Sequence, residues 1–336
     1  MPESSGSSET LLEIGEREIL NRLKKYMDDG QIDNDTALIK NCKKDLIINT
    51  DLMVEKVHFS SRTMTPEDIG WKAITSNFSD LASSGLDKVL SVTIGLIAPP
   101  STSWSWVNRL YKGMTNALEV YGGKLIGGDI SKGNEKVISI TAIGSQGPLD
   151  LHRSHAIPGD CLVTSGPHGL SRLGLALLLE DKVLETKHVS DELKAIAIES
   201  HQHPSAPIKA LKSLINCKPT KIPWRAAGTD SSDGLLEAIK SICISSNCKA
   251  IIRTNNLPTH KDWPKGNHWD KWCLNGGEDY ELVISLPLEW ANEWIKIMPL
   301  SKIIGDVKQG SPEILWENGK EIDSKNYLDF EHFQNK

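Results

Sequence analysis

The sequence lacks the features that define several large classes of protein. No apolar stretch approaches the roughly 18 residues that a membrane span requires, and no long basic run favours nucleic acid or an anionic membrane as a partner. The six cysteines form no C-x-x-C pair and no zinc spacing, so they are interpreted as buried or free thiols in a reducing compartment. We therefore expect a cytoplasmic protein whose partners are neither nucleic acid nor membrane.

The familiar phosphate-binding signatures are missing as well. The chain contains no G-x-x-x-x-G-K-[ST] loop, no G-x-G-x-x-G after a predicted strand and no kinase catalytic loop. Its formal net charge is −6, and an acidic site accepts phosphate groups only when cations reverse the local field. Any phosphate chemistry in this chain must therefore depend on metal ions and glycine turns.

Length and composition are typical of a globular protein with one large or two medium domains. The chain has 336 residues, of which 39% are hydrophobic and 24% charged. Predicted strands and helices alternate throughout, which indicates an α/β or α+β fold. A stretch with proline and glycine near residues 146–159 predicts the boundary between an N-terminal domain (11–147) and a C-terminal domain (148–336). The serine-rich residues 1–10 are predicted to be a disordered tail.

Local signals place most of the predicted elements. Thr65-Pro66-Glu67-Asp68 predicts a helix start, with threonine as the cap, proline at the first helical position and acids in the first turn. That helix is expected to run to about Ser84, before Gly85. Further helices are predicted near residues 10–27, 104–120, 169–180, 207–215, 234–246 and 288–298, and strands near 45–50, 89–98, 136–144, 161–165, 249–253 and 280–286.

Acidic side chains recur along the chain in short contexts that contain glycine, serine or asparagine. Each stands where a predicted strand or helix begins or ends; they are Asp35, Asp51, Asp80, Asp129, Asp230, Asp233, Glu278 and Asp279. Because like charges repel, such a set converges only around cations. Hard oxygen ligands that leave room for water suit Mg2+, which usually arrives with a substrate polyphosphate. The set therefore predicts a magnesium–nucleotide enzyme.

Taken one at a time, these residues also have ordinary structural interpretations. Asp51 can be a turn residue at a strand end, Gly127-Gly128-Asp129 a tight turn, and Ser232 or Asp233 the N-cap of the next helix. Gly276-Gly277-Glu278-Asp279 is harder to explain in this way, because acids are poor strand formers and these two lead into an apolar strand.

A set of short motifs occurs in a characteristic order along the chain. The motifs are Asp-Asn-Asp-Thr-Ala-Leu (33–38), Asn-Thr-Asp-Leu-Met-Val-Glu-Lys-Val-His-Phe (49–59), Trp-Lys-Ala-Ile-Thr-Ser-Asn-Phe-Ser-Asp-Leu-Ala (71–82), Ile-Gly-Gly-Asp (126–129), Thr-Asp-Ser-Ser-Asp-Gly-Leu (229–235) and Gly-Gly-Glu-Asp-Tyr-Glu-Leu (276–282). The ordered set resembles the thiamine-monophosphate kinase family from about Gly15 to Phe333. Val57-His58-Phe59 and the closing Asp-Phe-Glu-His-Phe (329–333) separate this family from its relatives.

The resemblance implies an enzyme that uses ATP and Mg2+ to convert thiamine monophosphate to thiamine diphosphate, the last step in making that cofactor. It implies a two-domain fold like that of aminoimidazole ribotide synthetase, and a homodimer whose N-terminal domains pair their sheets into a β-barrel near the nucleotide site. By motif match, the metal ligands are Asp35, Asn49, Thr50, Asp51, Asp80, Asp129, Asp230 and Asp233, of which Asp51, Asp80 and Asp129 are the catalytic set. The ATP contacts are Gly128, Asp129, Arg153 and Ser232, and the thiamine phosphate contacts are His58, Glu278 and Phe330.

The chain departs from the family pattern at three places. Asp33-Asn34-Asp35 stands where the family has Gly-Asp-Asp, which removes a glycine and shifts a charge. Asn49 replaces a serine, but its oxygens can still serve a metal ion. His203-Pro204 and Pro207-Ile208 stand where the family has Arg-Pro and Pro-Arg, so two arginines are missing.

Relatives with the same fold and another activity fit the residues less well. A selenophosphate synthetase needs a reactive cysteine near the N-terminus, whereas the first cysteine here is Cys42. A hydrogenase-maturation relative needs a C-terminal cysteine, whereas this chain ends Gln334-Asn335-Lys336. A purine-pathway amidine cyclase fits the fold but not Val57-His58-Phe59. The remaining alternative is a non-enzymatic binder, with Asn34 as the sign of lost activity.

The implied reaction needs no general base. Its acceptor is a phosphate oxygen that is already ionised at neutral pH, so the barrier lies in bringing two anions together in line. Several Mg2+ ions would neutralise and align both. We therefore expect direct transfer without a phosphoenzyme, and Tyr111 is a candidate for stacking on the adenine.

Overall fold

The chain folds into two compact units, each of which combines a β-sheet with helices. The computed structural model describes residues 9–26, 44–186 and 189–322. The first unit comprises the chain up to Leu81 together with Leu86–Gln146, and the second comprises Ala82–Gly85 together with the chain from Gly147 onward. The protein is therefore a mixed α/β protein with two sheets.

The first unit is built on a four-stranded sheet. The elements up to residue 146 are α1 (Leu11–Ile14), α2 (Glu16–Leu23), β1 (Leu46–Val54), α3 (Pro66–Ser83), β2 (Leu86–Ala98), α4 (Trp104–Tyr121), β3 (Lys124–Lys132) and β4 (Val137–Gln146). The strands lie in the order β1-β4-β2-β3. β4 pairs antiparallel with β1 and with β2, whereas β2 and β3 are parallel. β1 and β3 are therefore the two edges of the sheet.

One face of this sheet is buried and the other is exposed. Side chains alternate between the faces along each strand, and Val92, Ile94 and Ile140 on one face are at most 1% exposed. On the opposite face Ile48 and Leu52 of β1 are 61% and 58% exposed. The first unit thus presents an apolar sheet face that its described residues leave open to solvent.

The helix start predicted at Thr65 is confirmed. Thr65 N donates to Asp68 Oδ2 over 2.7 Å, and Asp68 N donates to Thr65 Oγ1 over 3.3 Å, so each residue satisfies a free backbone donor of the other. Pro66 is the first residue of α3. Gly85, with a φ of 92°, follows the end of the helix.

Three predictions in the first unit differ from the structure. The helix predicted over residues 10–27 breaks at Gly15, whose φ of 77° ends α1 and precedes α2. β1 continues to Val54, so Asp51 lies inside a strand and not at its end. Gly127-Gly128-Asp129 lies inside β3 and not in a turn, because backbone pairing with β2 overrides the poor strand propensity of glycine and aspartate.

The second unit is built on a six-stranded sheet. Its elements are β5 (Cys161–Thr164), α5 (Leu170–Leu178), α6 (Asp191–Gln202), α7 (Ile208–Asn216), β6 (Ala227–Asp230), α8 (Leu235–Ser246), β7 (Cys248–Ile252), α9 (Asn267–Asn275), β8 (Leu282–Leu286), α10 (Leu288–Ile297), β9 (Lys302–Gln309) and β10 (Ile314–Trp316). The strand order is β10-β7-β9-β5-β8-β6. Ile239 and Ile242 of α8 pack with Leu162, Val283 and Ile304 of the sheet in one buried core.

Glycines set the close approach of α3 and α4. A methyl group at Gly113 would collide with the Glu67 carbonyl oxygen, which no rotamer change can relieve. We expect Gly113→Ala to lower the free energy of unfolding by roughly 1–3 kcal/mol, as overpacking does in other cores, measured by urea unfolding. Gly127→Ala is the control, because no atom lies within 4 Å of its Cβ position. An equal loss of stability in both variants would contradict this explanation.

Candidate active site

Asn49 of β1 and Asp80 of α3 are in direct contact. Asn49 Nδ2 donates to Asp80 Oδ2 over 2.9 Å and to Asn77 Oδ1 over 3.1 Å. In the part of the chain that the structure describes, Asn49 Oδ1 is buried and accepts no hydrogen bond. A buried oxygen that lacks a donor and lies beside a carboxylate fits a hard cation such as Mg2+. The fold therefore brings two of the predicted metal ligands together.

Thr50 and Asp51 are the next residues of β1, and they lie on opposite faces of the sheet. Thr50 lies on the exposed face, where its hydroxyl is 2.8 Å from the hydroxyl of Thr141. Asp51 is half-buried and stands opposite Ile140, on the face that also carries Asn49. Asn49, Asp51 and Asp80 thus supply amide and carboxylate oxygens to one side of the sheet.

Gly128 and Asp129 lie on β3, at the other edge of the same sheet. The cross-strand register runs from Asp51 through Ile140 and Ile94 to Gly128. Neighbouring strands are about 4.8 Å apart, so three steps separate the two edges by about 14 Å. Within one chain the exposed Asp129 therefore lies far from Asp51. In agreement, no group of three or more His, Cys, Asp or Glu side chains suited to a metal occurs among the described residues.

His58 follows β1 and is held by the backbone of that strand. Val54 N donates to His58 Nδ1 over 3.0 Å, so Nδ1 is the acceptor and the neutral ring carries its proton on Nε2. Lys72 of α3 is only 1% exposed, and its Nζ donates to the His58 carbonyl oxygen over 3.4 Å. Sequence reasoning did not single out this buried lysine, although its place inside the 71–82 motif was a signal.

Loops of the second unit converge at one end of its sheet. β5 and β6 both pair antiparallel with β8, with Thr164 opposite Val283 and Asp230 opposite Leu282. Residues that follow β5 and β6 therefore lie beside the residues that precede β8. This topology brings together three segments that are far apart in the sequence.

Hydrogen bonds join the loop after β6 to the segment before β8. Glu278 N donates to the Ser232 carbonyl oxygen over 2.7 Å, and Glu281 N donates to Ser231 Oγ over 3.0 Å. Ser232 Oγ donates to Asp230 Oδ1 over 3.0 Å. A predicted metal ligand, a predicted ATP contact and a predicted substrate contact thus lie together in this unit.

The N-cap interpretation of Ser232 and Asp233 is wrong. α8 begins after Gly234, which is its N-cap at a φ of 96°, and no side chain caps the helix. Asp233 is exposed. Arg153 also lies at this end of β6, where its Nε donates to Thr229 Oγ1 over 3.2 Å. Arg153 and Ser232 are therefore close to the same strand end.

The segment before β8 has a strained backbone that buried contacts hold in place. Glu278 and Tyr280 have φ angles of 66° and 52°, a conformation that costs residues other than glycine about 1 kcal/mol or more. The Asp279 carboxylate accepts hydrogen bonds from Gly169 N over 2.6 Å and from Ser171 N over 3.0 Å, at the start of α5. Strain that is held in this way is typical of functional sites.

Burial raises the pKa of two acids in the same segment. The pKa of Glu281 rises to about 7, mainly through burial, although the Ser165 hydroxyl donates to its carboxylate. The pKa of Asp279 rises to about 8, again mainly through burial. Both carboxyls therefore change charge near neutral pH. Sequence reasoning missed Ser165 and Glu281, although Glu281 belongs to the same acidic motif as Glu278.

Some predicted residues are not brought to the site by the described structure. Asp35 and Phe330 lie outside the described residues. Tyr111 is only 3% exposed, and its ring packs against Tyr26 with the ring centroids 5.5 Å apart. Tyr111 therefore packs in the core of the first unit, and its contact with an adenine stays a prediction.

Known proteins are similar to this chain in sequence over most of its length. A family model described as AIR synthase related protein, N-terminal domain, matches residues 33–146. A thiamine-monophosphate kinase of Prochlorococcus marinus is 58% identical over 333 residues, which are 99% of this chain and 100% of that protein. The chain belongs to the thiamine-monophosphate kinase family. Another member, from Synechococcus elongatus, is 34% identical and aligns with 90% of this chain and 91% of its own length.

Solved structures of thiamine-monophosphate kinases share the fold. The structure described as AaThiL complexed with AMPPCP and TMP has a TM-score of 0.71 at 31% identity, over 93% of this chain and 96% of that one. The enzyme from Stenotrophomonas maltophilia K279a has a TM-score of 0.74 at 25% identity, over 90% and 94% of the two chains. The expected α/β fold, like that of aminoimidazole ribotide synthetase, is confirmed. No described helix has the length and apolar character of a membrane span.

Glu281→Gln tests the electrostatics of the segment before β8. Because burial raises the pKa of Glu281 from 4.5 to about 7, the folded state binds more protons than the unfolded state in this window, and stability falls as the pH rises through it. From pH 5 to pH 8, the unfolding free energy of wild type should therefore fall by roughly 1–3 kcal/mol more than that of the variant. Urea unfolding at both pH values measures this difference.

Glu289→Gln is the matched control, since Glu289 is exposed on α10. Its effect on stability should be the same at both pH values. A pH-independent effect of Glu281→Gln as well would show that the Glu281 carboxyl is not buried in the folded protein.

Proposed function

We propose that the protein transfers the γ-phosphoryl group of ATP to thiamine monophosphate, forming ADP and thiamine diphosphate. The observation that carries this proposal is the full-length 58% identity to a thiamine-monophosphate kinase. A second support is that a structural relative was solved with AMPPCP and TMP, which match the donor and the acceptor of this reaction. Two sets of contacts also support the proposal, because each brings residues with assigned roles together. They join Asn49 to Asp80 in the first unit, and Asp230 to Ser232 and Ser232 to Glu278 in the second.

Mg2+ is the metal ion that the oxygen ligands of the first unit fit. When bound, Mg2+ would supply charge neutralisation for the phosphates and help to align donor and acceptor. Asn49 Oδ1 supports this assignment, because it is buried beside Asp80 without a hydrogen-bond donor among the described residues. The residues that we assign as Mg2+ ligands are Asn49, Thr50, Asp51, Asp80 and Asp129 in the first unit, Asp230 and Asp233 in the second, and Asp35 outside the described residues.

The remaining side chains are assigned by their own chemistry. Arg153 and Ser232 offer a guanidinium and a hydroxyl to the ATP phosphates, and Gly128 offers its backbone. His58 offers the Nε2 proton to the thiamine phosphate, since Nδ1 accepts from the backbone. Glu278 offers a carboxylate to its cationic ring. Phe330, outside the described residues, stays a prediction as an aromatic surface for that ring.

Transfer is direct in this proposal. An ionised phosphate oxygen needs no general base, so Asp51, Asp80 and Asp129 act through metal ions and not as proton acceptors. Rapid quenching of the enzyme with labelled ATP, before and after the addition of thiamine monophosphate, tests this step. A phosphorylated protein that forms and decays on the productive path would contradict direct transfer.

We also propose that residues 11–147 form an ATP-binding, metal-binding and dimerisation domain. Ile48 and Leu52, which are exposed, support pairing with a second copy, and so do the two edge strands, which pair with no further strand among the described residues. Apolar faces and free strand edges are normally covered. Closing two such sheets into one barrel covers both. If β1 of one copy meets β3 of the other, the strand that carries Asp129 in the second copy lies next to the strand that carries Asp51.

A product assay tests the proposed reaction. Purified protein is mixed with ATP, Mg2+ and thiamine monophosphate, and the products are separated by chromatography, with free thiamine as the control acceptor. We expect thiamine diphosphate and ADP from the monophosphate and no product from thiamine. ADP without thiamine diphosphate, or no ADP while ATP still binds, would move the assignment to another activity of the same fold or to a non-enzymatic binder.

Two carboxylates test the metal assignment. We expect Asp51→Asn and Asp129→Asn each to lower kcat at least a hundredfold, on the order of what lost electrostatic stabilisation costs, while unfolding midpoints stay near wild type. Asp87→Asn is the control, because Asp87 is exposed and pairs with Lys44 over 2.9 Å. Near-normal rates for both site variants would overturn the assignment.

A further inference from the structure

Contacts around Glu278 lead to a residue that belongs to none of the sequence motifs. His201 lies on α6 and is 4% exposed. Its Nδ1 is 3.8 Å from Glu278 Oε2 and 3.3 Å from Ser171 Oγ. The imidazole therefore lies between α5 and the carboxylate that we assign to the acceptor.

Ser171 and His201 together contact the two successive residues Glu278 and Asp279. Ser171 N donates to Asp279 Oδ1 over 3.0 Å, and the hydroxyl of the same serine contacts His201. Ser171 thus holds Asp279 directly, and it holds Glu278 through His201. These contacts flank Glu278, whose strained φ of 66° persists only where the surrounding structure holds the backbone in place.

Helix packing fixes the position of the imidazole itself. A methyl group at Gly174 of α5 would collide with the Ala197 carbonyl oxygen and lie 2.9 Å from His201 Cβ. α5 and α6 therefore approach closely just where His201 leaves α6. A side chain anchored in this way can orient a neighbour without contacting the substrate.

We propose that His201 is a positioning residue for the acceptor subsite. Through Nδ1 it holds the Glu278 carboxylate in the orientation that meets the cationic ring of thiamine monophosphate. This inference rests on the proposed function, specifically on the assignment of Glu278 to the acceptor. The alternative is that His201 only joins α5 to α6, in which case it stabilises the fold without affecting the acceptor.

Two polar variants separate the two ring nitrogens. Asparagine places a polar group near the position of Nδ1, and glutamine places one near Nε2. We expect His201→Gln to raise the KM for thiamine monophosphate about tenfold, as the loss of one polar contact that orients a carboxylate would, with kcat and the KM for ATP within about twofold. His201→Asn should stay within about threefold of wild type.

His203→Gln is the control on the same helix end. His203 is 38% exposed and pairs with the exposed Glu199 over 3.4 Å, so its replacement should leave all three kinetic constants unchanged. Equal effects of His201→Asn and His201→Gln, or a parallel change in kcat and both KM values, would overturn the positioning role.

A double-mutant cycle with Glu278→Gln completes the test. If His201 acts through Glu278, His201→Gln adds nothing to the KM of the Glu278→Gln variant. An equal increase in both backgrounds would contradict the proposal. If Glu278→Gln itself leaves the KM for thiamine monophosphate unchanged, the assignment of Glu278 is wrong, and the role of His201 falls with it while thiamine diphosphate formation still stands.

Discussion

The strand order of the first sheet is the constraint on which the proposed catalytic arrangement depends. β1 and β3 form its two edges, so Asp51 and Asp129 stand about 14 Å apart in one chain. Ligands of one Mg2+ ion lie about 2.1 Å from it, which is too short to join the two edges. In the proposed dimer, a two-fold symmetric pair of sheets in which each edge strand meets the opposite edge of the partner would bring the strand of Asp51 next to the partner's strand of Asp129. The same pairing covers the apolar face.

In the second unit, the strand topology brings together residues that are far apart in the sequence. The side chains that we assign there lie at a strand end or on the loops that follow, and β8 runs antiparallel between β5 and β6, so these segments meet at one end of the sheet. Asp279 and Glu281 then fix the segment before β8 by accepting hydrogen bonds from the start of α5 and from Ser165. Burial disfavours the charged form of both acids, and this raises their pKa values. The hydrogen bonds that these acids accept hold the neighbouring Glu278 in its strained conformation next to Ser232.

Local chemistry determined which parts could be predicted from the sequence. Thr65 and Pro66 specify the start of α3 through their own backbone and side chains, so that helix was predicted closely. β3 was missed, because its two glycines have no strand propensity and only pairing with β2 makes it a strand. The separation of Asp51 from Asp129 depends on strand order, which no local pattern encodes. His201 carries no motif and becomes significant only through its contact with Glu278.

The most direct test of the proposed shared site is to mix two variants that are each expected to be inactive. Asp51→Asn and Asp129→Asn are combined as mixed dimers, by coexpression or joint refolding, and thiamine diphosphate formation is measured. If each site takes Asp51 from one copy and Asp129 from the other, half of the dimers are mixed and each has one intact site, so activity returns to about a quarter of wild type. If each chain supplies both residues to its own site, every site keeps a lesion and no activity returns. The second result, with mixed dimers confirmed, would contradict a site completed by a second copy.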